Sequence, residues 1–578
     1  MTWLWGLRAA QLESPSATDD VASSATRSHE REDELTAASD KLGGFLYATT
    51  LRVAVAGTLV DHWQAQRKLD ELCGVVSATA IPRLASFQRS KGRRTTGLPS
   101  SVRERPFLLS AKELATLFHP PTRNMAAENL AASDCRRPEP PAPLPNPSQE
   151  RGTVALGRVR YRDRQERFGI CAADRRRHAY VLGKTGMGKS TLIENMLVTD
   201  IHAGRGVGLI DPHGDLAERV ARSVPQKYWH KVVLVDPADT AYPVAFNPLD
   251  GSGLDATQRA LLASAVLGVF KTMYAEAFHA GYRMEDIFRN AFLALVEDPD
   301  ATLLSLPRLL EDEAYRTYVA AGLSNQVVRD FWLQTFPGWS KRYRGDAVGP
   351  VENKVRGLMS NPLLQPILGQ SRSKLRLRQV MDEGKILIVN LSKGNCGEDA
   401  SDLLGRLLVA KIQQAAMSRS GVVEEDRRDF YLYVDEFQNY ATESFETILS
   451  EARKYRLNLT LAHQYLGQLD RGLRDAVMGN VGTTISFALG GEDAEILAGQ
   501  FHGPLTPADF VHLPKYQAYV ALMVAGRTCD PFLMQTIKPP ASYLSDANLR
   551  TLVNLSRQRY AQPLAPVGPR LARAQTAM

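Results

Sequence analysis

The chain has 578 residues, 44% hydrophobic and 23% charged, with 70 Lys plus Arg against 63 Asp plus Glu and a formal charge of +7. Such a length exceeds what one hydrophobic core usually supports, and the balance excludes a mainly disordered chain and a polytopic membrane protein. The cation excess is compatible with a polyanionic partner without establishing one, and five scattered cysteines with no CxxC pair exclude a disulfide framework or thiolate zinc site and fit a reducing cytosol.

Residues 1–26 are expected to be disordered. Met1–Arg8 contain two tryptophans but no long apolar run, so a cleavable signal peptide is not expected. Only Leu42–Val60 invites a membrane assignment. Arg52 near its middle would cost about 2.5–3.5 kcal/mol at that depth. Leu51, Val53 and Val55 alternate with Thr50, Arg52 and Ala54, the period of a half-buried strand. No integral membrane segment is therefore predicted. A charged helix before the strand, and a helix after it with Leu69, Leu72 and Val76 at helical spacing, make 27–117 a small α+β domain. Over 118–150 the chain is rich in proline, as in RRPEPPAPLPNP, and reads as an extended linker.

From Arg151 the texture changes. HAYVLG, GVGLID, KVVLVD, KILIVNL, FYLYVDE, NLTLAHQ, TTISFAL and QAYVALMV are near-continuous apolar runs, as expected of a mainly parallel sheet covered on both faces. Between the third and fourth runs the pattern is helical only. The prediction is an α/β core in two parts, 151–254 and 376–540, interrupted by an all-helical insertion over 255–375 and followed by a basic tail, 541–578.

The first run ends in Gly183-Lys184-Thr185-Gly186-Met187-Gly188-Lys189-Ser190, followed by Thr191 and a helical segment: G-x-x-x-x-G-K-[ST] between a strand and a helix. Glycines let backbone N–H groups turn inward around phosphate oxygens, and the helix N-terminus adds partial positive charge. Lys189 is placed to reach the β- and γ-phosphates of ATP, and the Ser190 hydroxyl to complete a Mg2+ shell. A second carboxylate at a distant strand end is needed, and FYLYVDEF supplies Asp435 for the metal and Glu436 to polarise the attacking water. Gln464, at the tip of NLTLAHQ, could contact the γ-phosphate. Asp211-Pro-His-Gly-Asp215 either faces a ligand at the carboxyl edge or caps the next helix, as Asp215 before LAERVA suggests.

With GKTGMGKS, LIDPHGDL, the helical insertion, YLYVDEFQN and ARKYRLNLTLAHQ in this order, residues 165–540 resemble the type IV coupling proteins, the TraG/TraD-like branch of the FtsK/HerA motor ATPases. The resemblance implies a RecA-like core, a hexameric ring and DNA pumping toward a type IV secretion channel at the expense of ATP, with relaxase and channel proteins as partners. It puts Gln464 on the family's sensing glutamine. It also puts Arg453 where the family places an arginine that completes a neighbouring subunit's site. Many relatives begin with transmembrane helices, which are not predicted here, and His213 stands where many have lysine. The implied location is cytoplasmic, or peripheral at the cytoplasmic face of the inner membrane.

The DNA partner rests mainly on this resemblance. Cationic clusters at 88–94, 158–167 and 174–178, and five arginines after Asn548, would bind phosphate without reading sequence, but such clusters are often ordinary solvated faces. The competing expectations are a HerA-like motor feeding DNA to a repair nuclease, and an ATP-gated docking adaptor that does not pump.

Overall fold

The computed structural model describes residues 2–9, 32, 35–56, 62–78, 87–89, 93–95, 106–117, 135–150 and, apart from 151, 281, 443, 502 and 540–542, all of 152–563. Two compact units result, 1–132 and 133–578. In the first, β1 (Thr2–Ala9) lies within the stretch expected to be disordered, most of which falls outside the described residues. The single strand expected within 42–60 is two: β2 (Leu46–Thr49) and β3 (Arg52–Ala56). β1 pairs antiparallel with β3, β4 (Phe87–Arg89) and β5 (Arg93–Thr95), and β2 pairs with β6 (Phe107–Ser110). The helix His62–Ser77 forms as expected but buries another stripe. Ala65, Leu69 and Cys73, each one turn after the last, face inward, while Leu72 is exposed.

In the second unit the sheet has eleven strands, in the order β11-β12-β10-β13-β14-β9-β15-β16-β19-β7-β8. Along the chain these are β7 (Val154–Val159), β8 (Arg167–Ile170), β9 (Ala179–Leu182), β10 (Gly206–Asp211), β11 (Val232–Val235), β12 (Ile386–Asn390), β13 (Phe430–Val434), β14 (Leu457–His463), β15 (Thr483–Ser486), β16 (Gln517–Ala521) and β19 (Phe532–Thr536). A two-residue pair, β17 (Met523–Val524) and β18 (Arg527–Thr528), makes a hairpin before β19. β11 to β15 in this order, with β9 among them, are parallel, and β16, β19, β7 and β8 extend the sheet antiparallel. QAYVALMV is thus apolar because both faces are covered, although its strand is antiparallel.

Successive side chains divide between two cores. Tyr180, Leu182, Leu432 and Val434 join the core shared with the helical insertion. Val181, Tyr431 and Tyr433 face the other layer, which holds the helix Lys189–His202. Over 255–375 the described residues contain helices and no strand, the longest being Ala256–Met273, Tyr282–Glu297 and Lys341–Met359.

Residues 135–150, expected as part of the linker, lie on the core. Cys135 is buried, the Arg136 N–H donates to Asp509 (2.9 Å), the Tyr519 hydroxyl donates to the Arg136 carbonyl (2.6 Å), and Gly169 N–H donates to the Pro145 carbonyl (2.9 Å). Proline removes donors but leaves carbonyl acceptors, and the core uses them. Residues 118–134 lie outside the described residues. At the other end the tail begins with the helix Asp546–Tyr560, which packs on the edge strand β11; Leu234 N–H, otherwise an edge donor, bonds Ser556 Oγ (2.8 Å). Among the described residues no helix is long and apolar enough to cross a membrane.

Candidate active site

β9 delivers the phosphate loop at the middle of the eleven-stranded sheet, between β14 and β15. Gly183, Gly186 and Gly188 have φ of 154°, 77° and 124°. At Gly183 a Cβ would also sit 2.5 Å from Phe487 Cβ, so glycine is required there twice over. Gly188 caps the helix Lys189–His202 without any side-chain cap, which leaves the first-turn N–H groups free for an anion. Lys184, Thr185 and Gly186 are exposed at the loop's crest, and Ser190 and Thr191 are half-buried at the helix start. Lys189 is buried and folds back to donate to the Gly183 carbonyl (2.5 Å). Burial lowers its pKa, and Glu436 and Asp435 counteract this. The ammonium thus spans the loop, where a phosphate oxygen would be a stronger acceptor than a carbonyl.

β13 runs two strands away and ends in the acid pair. Asp435 N–H bonds the Ile210 carbonyl (3.1 Å), and Asp435 Oδ1 accepts from Glu436 N–H (3.1 Å). Burial, then the charges of Glu436 and Asp211, push the Asp435 carboxyl up to about 6, against the pull of Lys189 and His213. Glu436 sits in the left-handed region (φ 46°, ψ 51°), an unusual place for a non-glycine residue. Both its oxygens are held by amides: Gln464 Nε2 donates to Oε1 (3.0 Å) and Gln438 Nε2 to Oε2 (2.8 Å). The structure therefore brings Lys189, Ser190, Asp435, Glu436 and Gln464 to one carboxyl edge. His463, just before Gln464, is buried against Tyr180 (hydroxyl to ring nitrogen 3.1 Å), and burial followed by Lys189 pushes it down to about 3, so it is a neutral packing group.

Of the two readings of Asp211–Asp215, the structure shows the cap, made by Asp211. Asp211, wholly buried, accepts from His213 N–H (2.9 Å) and Ala217 N–H (2.8 Å), capping the helix Asp215–Arg222, and its charge acts on Asp435 as well. The side chain of Asp215 is not the cap.

Arg453 is not part of this constellation. It precedes β14, whereas Gln464 follows it, and seven strand residues separate the two edges by roughly 23 Å. There Arg453 is exposed and lines a cavity of about 490 Å³ with Glu150, Cys171 and Arg177. Of its neighbours, Arg456 lies 3.8 Å from both Glu424 and Asp429, and Lys454 is exposed. Arg453 has no ion pair among the described residues.

The cationic run 174–178 is mostly structural. Arg175 is buried and makes a bidentate pair with Asp200 (2.9 Å twice), which also accepts from the Tyr433 hydroxyl (2.6 Å) and Arg205 (2.7 Å). Arg176 pairs with Asp429 (2.9 Å), and buried His178 accepts from Leu459 N–H (3.1 Å). Only Arg177 is left beside Arg453. Gln438 and Arg177 are the residues that sequence reasoning missed. Gln438 was visible as the glutamine two places after Glu436, but nothing local marks it as the carboxylate's partner.

A phosphate loop on a parallel strand, an acid pair two strands away and a RecA-like sheet define a P-loop NTPase. Residues 154–412 match the family model described as the central domain of the helicase HerA, and 429–498 match the one described as the TraM recognition site of TraD and TraG. Together the two matched stretches contain the phosphate loop, the acid pair, Gln464 and Arg453. A comparison with curated proteins gives no match. Among solved structures it is similar to the bacterial conjugative coupling protein TrwBdeltaN70 (17% identity, TM-score 0.44, 65% of this chain and 90% of that one). It is also similar to plasmid coupling protein TrwB in complex with ADP and Mg2+ (17%, 0.46, 65% and 90%), and to VirB4 of Thermoanaerobacter pseudethanolicus (16%, 0.42, 68% and 98%).

Proposed function

We propose that the chain is an ATP-driven, ring-forming DNA motor of the coupling-protein kind, serving conjugative transfer through a type IV secretion system. The observation that carries this reading is the division of the site between two edges of one sheet. Lys189, Ser190, Asp435, Glu436 and Gln464 stand at the carboxyl edge, and Arg453, without an ion pair among the described residues, stands at the other. Arg453 cannot serve its own chain's phosphates, but head-to-tail packing of copies would present it to a neighbour's, and such packing makes a ring where its rotation closes.

The donor set fits ATP and Mg2+. Mg2+ would be held by Ser190 and, through water, by Asp435, and would neutralise charge on the β- and γ-phosphates. Lys189 would exchange the Gly183 carbonyl for phosphate oxygen, and the backbone N–H groups of Gly186 and of Gly188 to Thr191 would line the anion, while Lys184 N–H stays with the Ala488 carbonyl (2.9 Å). Glu436, oriented by its two amide partners, takes the proton of the attacking water. Gln464 bonds Glu436 and stands one strand from the loop, so a move toward phosphate would report the nucleotide state to the carboxylate. Arg453, with Arg177 beside it, would stabilise charge developing on the neighbour's phosphoryl group. DNA would be gripped through its backbone, without a base-reading module.

A subunit-mixing experiment tests the division. Rings of Arg453→Ala alone or Glu436→Gln alone should be nearly inactive in ATP hydrolysis, while mixed rings should recover part of the rate because some interfaces carry both intact groups. No recovery in rings of normal size refutes the role in trans. The match of 154–412 to the HerA central domain favours a second reading, a motor acting with a repair nuclease, which shares this site and differs in its partners.

A further inference from the structure

The nucleotide site described above accounts for phosphate and metal but leaves the base without a seat. Beside the loop, Pro514-Lys515-Tyr516-Gln517 forms a β-turn closed by Gln517 N–H to the Pro514 carbonyl (3.1 Å), with Tyr516 third. Its φ is 66°, a left-handed position that glycine or asparagine fills with least strain. An aromatic side chain is an expensive choice there.

Tyr516 is locked to the phosphate loop. Its N–H donates to the Met187 carbonyl (2.8 Å), and its carbonyl accepts from Thr536 N–H (2.9 Å). A Cβ on Gly188 would lie 3.1 Å from Tyr516 Cδ1 and 3.1 Å from Phe487 Cε1, so the ring rests on the residue preceding Lys189. Even so, the side chain is 41% exposed. Lys515 Nζ lies 5.0 Å from the ring centroid, and no aromatic side chain among the described residues stacks on it. A buried aromatic would be explained by packing, and an exposed one on a mobile turn would need no explanation. A half-exposed ring pinned in a strained turn against a phosphate loop is explained by neither.

We propose that Tyr516 is the platform on which the base of the bound nucleotide stacks, so that the site takes purine nucleoside triphosphates in preference to pyrimidine ones. The proposal rests on the nucleotide reading of Gly183–Thr191. Stacking on an aromatic face tolerates any base but strengthens with the size of its π-system, so it selects purine over pyrimidine without separating adenine from guanine. Lys515 beside the same ring would sit near the sugar–phosphate junction.

The test is equilibrium binding of ATP, GTP, CTP and inorganic tripolyphosphate, with Mg2+, to the full-length wild type, Tyr516→Phe and Tyr516→Asn. Asparagine tolerates the left-handed backbone, so the turn and the hydrogen bond to Met187 are kept. Tyr516→Asn should weaken ATP and GTP about tenfold and CTP less, while leaving tripolyphosphate within a factor of about two. Tyr516→Phe should bind all four like the wild type. An unchanged ATP affinity in Tyr516→Asn, or an equal loss for ATP and tripolyphosphate, overturns the platform and leaves the phosphate site standing. Failure of the wild type to bind either ATP or tripolyphosphate overturns both.

Discussion

Asp435→Asn is expected to stabilise the nucleotide-free chain while removing its metal anchor. In the native state the carboxyl is pushed up to about 6 by burial and by Glu436 and Asp211, against an ordinary value of 3.8. The native state therefore holds this proton more tightly than the unfolded chain does. Stability from this group is largest at low pH, falls as pH rises from about 4 to 6, and stays low above that. About two pKa units correspond to a penalty of roughly 3 kcal/mol at pH 7.5, shrinking to about 1 kcal/mol at pH 4.5. Asparagine is close in shape, can still accept from Glu436 N–H and does not ionise. Thermal melts without nucleotide should show the variant above wild type by on the order of 5 °C at pH 7.5, with most of the difference gone at pH 4.5. With Mg2+ and ATP the gap should narrow, because wild type, which keeps its metal anchor, gains more from binding. A variant that melts below wild type at pH 7.5, or a gain independent of pH, refutes the reasoning that this acid is strained for function.

Two further expectations concern the scaffold. Asp200→Ala strands the buried Arg175 guanidinium and should cost about 3–5 kcal/mol in urea unfolding of the core; a change under about 1 kcal/mol would mean that the network is not coupled to folding. Gly183→Ala should weaken ATP binding more than tenfold by isothermal titration. Phe487→Ala should not rescue it, because the contact is with Phe487 Cβ; full rescue would contradict the close-packing argument.

How much was legible beforehand follows from how local each signal is. The loop from Gly183 to Ser190 and the strand end at Asp435 are read from consecutive residues, because phosphate binding and strand termination act over one turn of chain. Gln464 was legible for the same reason, standing at the tip of an apolar run. The role of Gln438 was not, since it depends on where Glu436 points. The run 174–178 looks like one cationic patch, yet Asp200 and Asp429, 25 and 253 residues away from Arg175 and Arg176, take two of its arginines inward. The antiparallel extension through β16, β19, β7 and β8 was hidden because burial on both faces erases the alternation that usually marks antiparallel strands. In the helix His62–Ser77, Leu69 faces inward as its spacing predicts, but the buried stripe runs through Ala65 and Cys73 and leaves Leu72 exposed.

The central claim is that hydrolysis at Lys189, Asp435 and Glu436 drives movement on DNA. The direct measurement is the steady-state ATPase rate of the assembled ring with and without double-stranded DNA, for wild type and Lys189→Ala. The account predicts a wild-type rate that rises severalfold with DNA, more weakly at high salt, and a variant inactive in both conditions. A well-formed ring whose rate is indifferent to DNA would contradict it.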